Sequence, residues 1–163
     1  MKKWWLYVSL SCLLLHGCET SLSKQAIKEA EDALHAQNYQ KAKGLIRLAS
    51  TESQNAEYDA LYEQCEALVE MVNHLEVGQL DESLLSWTDI NLISAKSPLI
   101  KEAAVIELKT MLQEVMTEAE KAIALGETDE VELVIRHIFK RLGDMEVFKE
   151  EIAQLQELNQ QMN

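Results

Sequence analysis

AEYDALYEQCEALVEMVNHLEV, residues 56–77, is the stretch whose reading decides the fold. Tyr58, Leu61, Tyr62, Cys65, Leu68, Val69, Val72 and Leu75 recur at steps of three and four. That is the spacing of one helix face, not the alternation of a strand. The stripe is wide and core-facing, and Gly78 breaks the helix that carries it.

The same period extends in both directions. Toward the N-terminus, Ser21 or Ser23 caps a helix running to about Ala36, with Ala26, Ile27, Ala30, Ala33 and Leu34 inward. Gln37 and Asn38 make a turn, and a short helix from Tyr39 to Ala49 follows, ended by the polar run Ser50–Asn55. Toward the C-terminus, Leu80, Leu84, Trp87 and Ile90 mark a fourth helix reaching Ser94. Ser97 and Pro98 then open a fifth that extends to Leu125, because proline favours the first helical position. Thr128 caps a sixth, with Val131, Val134, Ile135, Ile138 and Leu142 inward, and Gly143 stops it. Asp144 caps a seventh bearing Met145, Phe148, Ile152 and Leu155. The chain is therefore expected to be all-α, with about seven helices, the last covering the stripe its neighbours leave open.

Three joints between these helices can be laid over one another: Gln37-Asn38-Tyr39-Gln40-Lys41-Ala42, Gly78-Gln79-Leu80-Asp81-Glu82-Ser83 and Gly126-Glu127-Thr128-Asp129-Glu130-Val131. Each resembles the turn of a tetratricopeptide-type repeat, which joins two antiparallel helices. Ala30 and Ala119 stand seven positions before two of the turns, where that family needs close helix contact, and Ala49, Ile90 and Ile138 hold equivalent inward places. Met71 replaces the small residue in the middle unit, and successive turns are 41 and 48 residues apart. The resemblance, over residues 22–142, implies irregular tetratricopeptide-like antiparallel hairpins.

Before the helices stands a basic-then-apolar leader. Lys2 and Lys3 precede an apolar run from Leu6 to Leu15, too short for the roughly 20 residues a spanning helix needs. Leu15, His16, Gly17 and Cys18 close it. This resembles the signal of a bacterial lipoprotein, which implies cleavage after residue 17 and a diacylglyceryl group on the Cys18 thiol. Residues 18–163 would then form one domain, tethered to a membrane on its extracytoplasmic side. Glu19 after the cysteine is compatible with outer-membrane sorting in a two-membrane bacterium.

The whole chain has a formal charge of −13, and losing Lys2 and Lys3 with the leader takes the remainder to −15. Such a surface repels nucleic acid and anionic headgroups and favours a partner with a basic patch. Cys65 is the only cysteine after Cys18, so no internal disulfide forms there, and its place in an apolar stripe reads as core. Pro98 and four glycines are the only breakers after the leader, and no Gly/Ser-rich linker marks a second domain.

Catalytic and metal-binding patterns are missing. His35, His74 and His137 fall on three different helices, with no HxxxH or HExxH spacing to place two ligands on one face. The acidic groups Glu29, Glu31 and Asp32, and Asp129, Glu130 and Glu132, read as solvated helix faces. Trp87 is either a core filler or an interface anchor. No phosphate loop or nucleophile elbow is present.

No enzyme activity, cofactor or metal is therefore expected. The resemblances imply a lipid-anchored helical-repeat protein that binds a protein partner, as a scaffold or assembly factor at the bacterial envelope. A pilot-type lipoprotein for a secretion or pilus system, or a small-ligand receptor, are the other readings.

Overall fold

The structure, a computed structural model, describes residues 20–53, 55–93 and 97–162. The lipidation motif, Leu15, His16, Gly17 and Cys18, lies outside the described residues, as do the rest of the leader and Ser94. Seven α-helices are present among the described residues, with no strand: α1 Ser21–His35, α2 Tyr39–Ser53, α3 Ala56–Glu76, α4 Leu80–Leu92, α5 Pro98–Leu125, α6 Asp129–Leu142 and α7 Lys149–Met162, the last preceded by a 3₁₀ turn at Glu146–Phe148. None of the described helices is long and apolar enough to cross a membrane.

The three aligned joints share one backbone solution. After α1, the Asn38 N–H donates to the Ala33 carbonyl at 2.8 Å and the Gln37 N–H to Leu34 at 3.0 Å. After α3, Gln79 donates to His74 at 2.8 Å and Gly78 to Leu75 at 3.0 Å; after α5, Glu127 donates to Ala122 at 3.0 Å and Gly126 to Ile123 at 3.3 Å. Each is a Schellman motif, which satisfies the last carbonyls of a helix by passing one residue through the left-handed region. That residue is Gly78 or Gly126, each at φ +74°, and in the first turn Gln37 at φ +55°. The hairpin packing is consistent with a tetratricopeptide-like arrangement. The third turn is one residue longer than the others, since α6 begins three positions after Gly126 while α2 and α4 begin two after Gln37 and Gly78.

Several helix ends differ from expectation for local reasons. α1 is capped by Thr20, whose Oγ1 accepts from the Ser23 N–H at 3.0 Å; Ser21 and Ser23 lie inside the helix, and Ser23 Oγ donates back to the Thr20 carbonyl. α2 continues through the polar run to Ser53, because Thr51 Oγ1 donates to the Arg47 carbonyl and Ser53 Oγ to that of Ala49, so these hydroxyls are satisfied within the helix. α6 does stop at Gly143, but Asp144 starts no helix: Met145 is extended and the chain makes the 3₁₀ turn before α7. Val134, expected inward, is 46% exposed, because the buried stripe of α6 is the narrow row Ile135, Ile138, Leu142.

The chain divides into two compact units, residues 1–103 and 104–163, with the boundary inside α5. Nothing in the composition around Ala103 and Ala104 marks it, which is why the sequence reads 18–163 as one body. In the first unit, α1 packs on α2, α2 on α3 and α3 on α4. Ala26, Ala49 and Tyr58 form a buried cluster flanked by Ile27 and Leu61, the alanines allowing the helices of the first hairpin to approach closely. Along α3, Cys65, Leu68 and Met71 are fully buried. In the second unit, α7 packs on α6; Ile152 and Leu155 of α7 are buried, as is Phe148 of the 3₁₀ turn. Lys109 of α5 and Glu151 of α7 form an ion pair at 2.8 Å.

Candidate functional site

A cleft of about 260 Å³ lies in the first unit, beside the first hairpin. Its floor is apolar, built from Ile27, Ala30 and Leu34 of α1, Ile46 of α2, Leu61 of α3, and Leu99 and Ile100 at the start of α5. Glu31 and Glu57 stand at its rim, both exposed. The cleft is smaller than the roughly 300–1,000 Å³ of typical small-molecule sites, and suits one or two aliphatic side chains of a partner beside a cation. Periodicity marks Ile27, Leu34, Ile46 and Leu61 as inward but cannot say that they leave a gap. Glu31 reads in sequence as a solvated face, and Glu57, Leu99 and Ile100 give no signal.

A second concavity, about 370 Å³, lies between α3 and α4 and is lined by Glu63, Glu66, Glu70 and Asp89 with Leu92. Glu66 pairs with Lys43 at 3.4 Å and accepts from the Tyr62 hydroxyl at 3.0 Å. Leu85 and Leu92, seven residues apart on α4, are 68% and 77% exposed. Trp87 on the same helix is half-buried and has a partner.

The titratable residues singled out in the sequence are dispersed. His35 is exposed on α1; His74 Nδ1 and Gln79 Oε1 lie 2.8 Å apart across the second Schellman turn; His137 is half-buried on α6. No group of three or more His, Cys, Asp or Glu among the described residues is arranged to hold a metal ion. Cys65 is fully buried, its thiol 4.0 Å from the Tyr39 carbonyl oxygen, and burial pushes its pKa up to about 12. A thiol so protonated is a poor nucleophile.

Glu151 behaves differently. Burial works to raise its pKa, but the hydrogen bond and charge of Lys109, with a backbone hydrogen bond, hold it below the ordinary value. The pair ties α5 to α7. Comparison with known protein families, with characterised proteins and with solved structures returns no match to this chain.

Proposed function

We propose that this is a lipid-anchored protein of the bacterial envelope, held on the extracytoplasmic side through Cys18, that binds a protein partner as a scaffold or assembly factor. The observation that carries the binding half of this reading is the cleft of the first hairpin. Its floor offers aliphatic surface, and its rim offers Glu31 and Glu57. The partner segment it fits carries a leucine-like residue beside a lysine or arginine. The anchor half rests on Leu15-His16-Gly17-Cys18 after a short apolar run. Two acyl chains hold a protein at a membrane where one does so only marginally.

The test of binding places a photo-crosslinking residue at Ser97, which also lines the cleft, in the intact lipidated protein and recovers adducts from envelopes. One recurrent protein adduct, lost on Glu31→Lys with Glu57→Lys and weakened by salt, is the expected result. A copurifying small molecule with no protein adduct would favour the receptor reading. The anchor is tested by clickable fatty-acid labelling, which Cys18→Ala should abolish and His16→Ala should leave at least as strong.

A further inference from the structure

α3 carries six carboxylates and α4 three, and neither helix has a lysine or arginine. Glu57 and Asp59 of α3, with Asp81 and Glu82 of α4, stand in first turns, where the partial positive charge of a helix N-terminus favours them. Glu63, Glu66, Glu70 and Asp89 lie beyond those turns, so the dipole does not account for them. All four line the concavity between α3 and α4.

The carboxylates form a row and not a cage. Glu63, Glu66 and Glu70 follow one another at steps of three and four, so they share one face of α3 with Ala67 and run about 10 Å along its axis. Asp89, Leu92 and Ile93, at steps of three and four from Asp89, form the α4 wall. The carboxylates do not converge as metal ligands do. On α3 the spacing makes neighbours of like charges, which destabilises a helix standing alone. Lys43 of α2 offsets this at Glu66, 3.4 Å away. Glu63, Glu70 and Asp89 are exposed and form no ion pair among the described residues. Leu92, on the facing wall, is 77% exposed.

A carboxylate row on one wall, with an acid and two apolar side chains on the other, complements a helix that has cations at i, i+3 and i+7 and an apolar stripe beside them. Two turns of such a helix also span about 10 Å. We propose that the α3–α4 groove docks a basic amphipathic helix of a partner protein, whose cations meet Glu63, Glu70 and Asp89 while a leucine-like side chain covers Leu92.

This groove is separate from the cleft beside the first hairpin. Glu57 and Leu61, which line that cleft, lie on roughly the opposite side of α3 from the row, at about 100° per residue. One segment cannot fill both, so a chain with both filled holds two partner segments at once, as a scaffold does. The docking itself needs neither the anchor at Cys18 nor the cleft.

The experiment uses the intact lipidated protein in non-ionic detergent, with protein-free micelles as the baseline. The probe is a synthetic fluorescent helical peptide with lysines at i, i+3 and i+7, leucines on the adjoining stripe and a photo-crosslinking group. Its affinity is read by anisotropy and its adducts are mapped by mass spectrometry. Adducts should fall within residues 63–70 and 89–93. Glu63→Gln with Glu70→Gln and Asp89→Asn should weaken binding about tenfold, as the loss of three exposed ion pairs allows. Glu114→Gln with Glu120→Gln and Glu157→Gln, which removes equal charge from exposed positions in the second unit, should change it less than about twofold. A peptide of equal charge with serines for leucines should bind about fivefold more weakly. Equal losses in the two triple variants, or no preference for leucine, would reduce the interaction to diffuse charge attraction and overturn the groove. Adducts confined to the cleft around Leu34 and Leu61 would overturn the groove while leaving the cleft as the binding site, and absence of binding overturns the groove alone.

Discussion

Gln64 of α3 donates from Nε2 to the carbonyl oxygen of Ile90 at 2.9 Å, with both residues fully buried, and so ties α3 to the last turn of α4. Carbonyls in that turn lack intrahelical partners, and a side chain from the neighbouring helix supplies one here. Gln64 Oε1 itself has no partner, so the amide is half-satisfied.

Gln64→Leu should therefore cost about 1–2 kcal/mol, because the Ile90 carbonyl is left unpaired while the orphan Oε1 is removed. Gln64→Glu should cost more at neutral pH, placing a carboxylate in the same dry contact, and should recover as pH falls. The sign follows from burial: a folded-state pKa raised above the unfolded value means stability that is lost as pH rises. Urea melts of both variants at about pH 5 and pH 7 check this, and equal midpoints for the two variants at both pH values would refute the assignment.

The Lys109–Glu151 pair titrates in the opposite direction. The folded pKa of Glu151 lies below its ordinary 4.5, so the pair's stabilisation is present above about pH 4.5 and is lost as pH falls through the folded value. Lys109→Met should destabilise by about 1–3 kcal/mol at pH 7, between the cost of breaking an exposed and a buried pair. The acid limb of its stability profile should flatten or invert. Adding Glu151→Gln should restore part of the loss, and a double variant no more stable than Lys109→Met would argue against the pair.

The three Schellman turns differ at the residue that must adopt positive φ. Gln37 holds φ +55° where Gly78 and Gly126 hold φ +74°. A side chain in the left-handed region costs about 1–2 kcal/mol that glycine avoids. Gly78→Ala and Gly126→Ala should each lower stability by about 1 kcal/mol, and Gln37→Gly should raise it by up to about 1 kcal/mol. Thermal melts decide this, since a loss of stability in Gln37→Gly would mean that Gln37 contributes through its side chain.

These turns were the most legible part of the sequence because their chemistry is local. Laying Gln37, Gly78 and Gly126 over one another identifies the residues that share a backbone conformation, and the stripe around Leu68 identifies a helix with a buried face. What stayed hidden depends on neighbours distant in sequence or on side-chain bonds that composition does not reveal. Thr51 and Ser53 read as helix breakers until their hydroxyls are seen to bond back to Arg47 and Ala49. The cleft is a space left between correctly identified inward residues, and no period encodes the absence of an atom. Its rim acids Glu31 and Glu57 look like any solvated helix face until the helices are packed.

Cys65 offers the sharpest test of the core that the stripe predicts. Its thiol is fully buried and its pKa pushed up to about 12 by that burial, with the charge of Lys43 working weakly the other way. The native protein at pH 8 should resist thiol reagents, and labelling should appear only as urea passes through the unfolding transition. The raised pKa also sets a sign. Relative to an unfolded value near 9.0, the stabilisation from keeping the thiol neutral is complete below pH 9 and declines as pH rises toward 12. Cys65→Ala should remove that alkaline component, leave the neutral-pH profile parallel to that of the parent, and cost about 1 kcal/mol through lost packing. Rapid labelling of native Cys65 at pH 8, with Tyr39 and Leu68 unchanged, would mean that α2 and α3 open in the native state and that the core is looser than the packing implies.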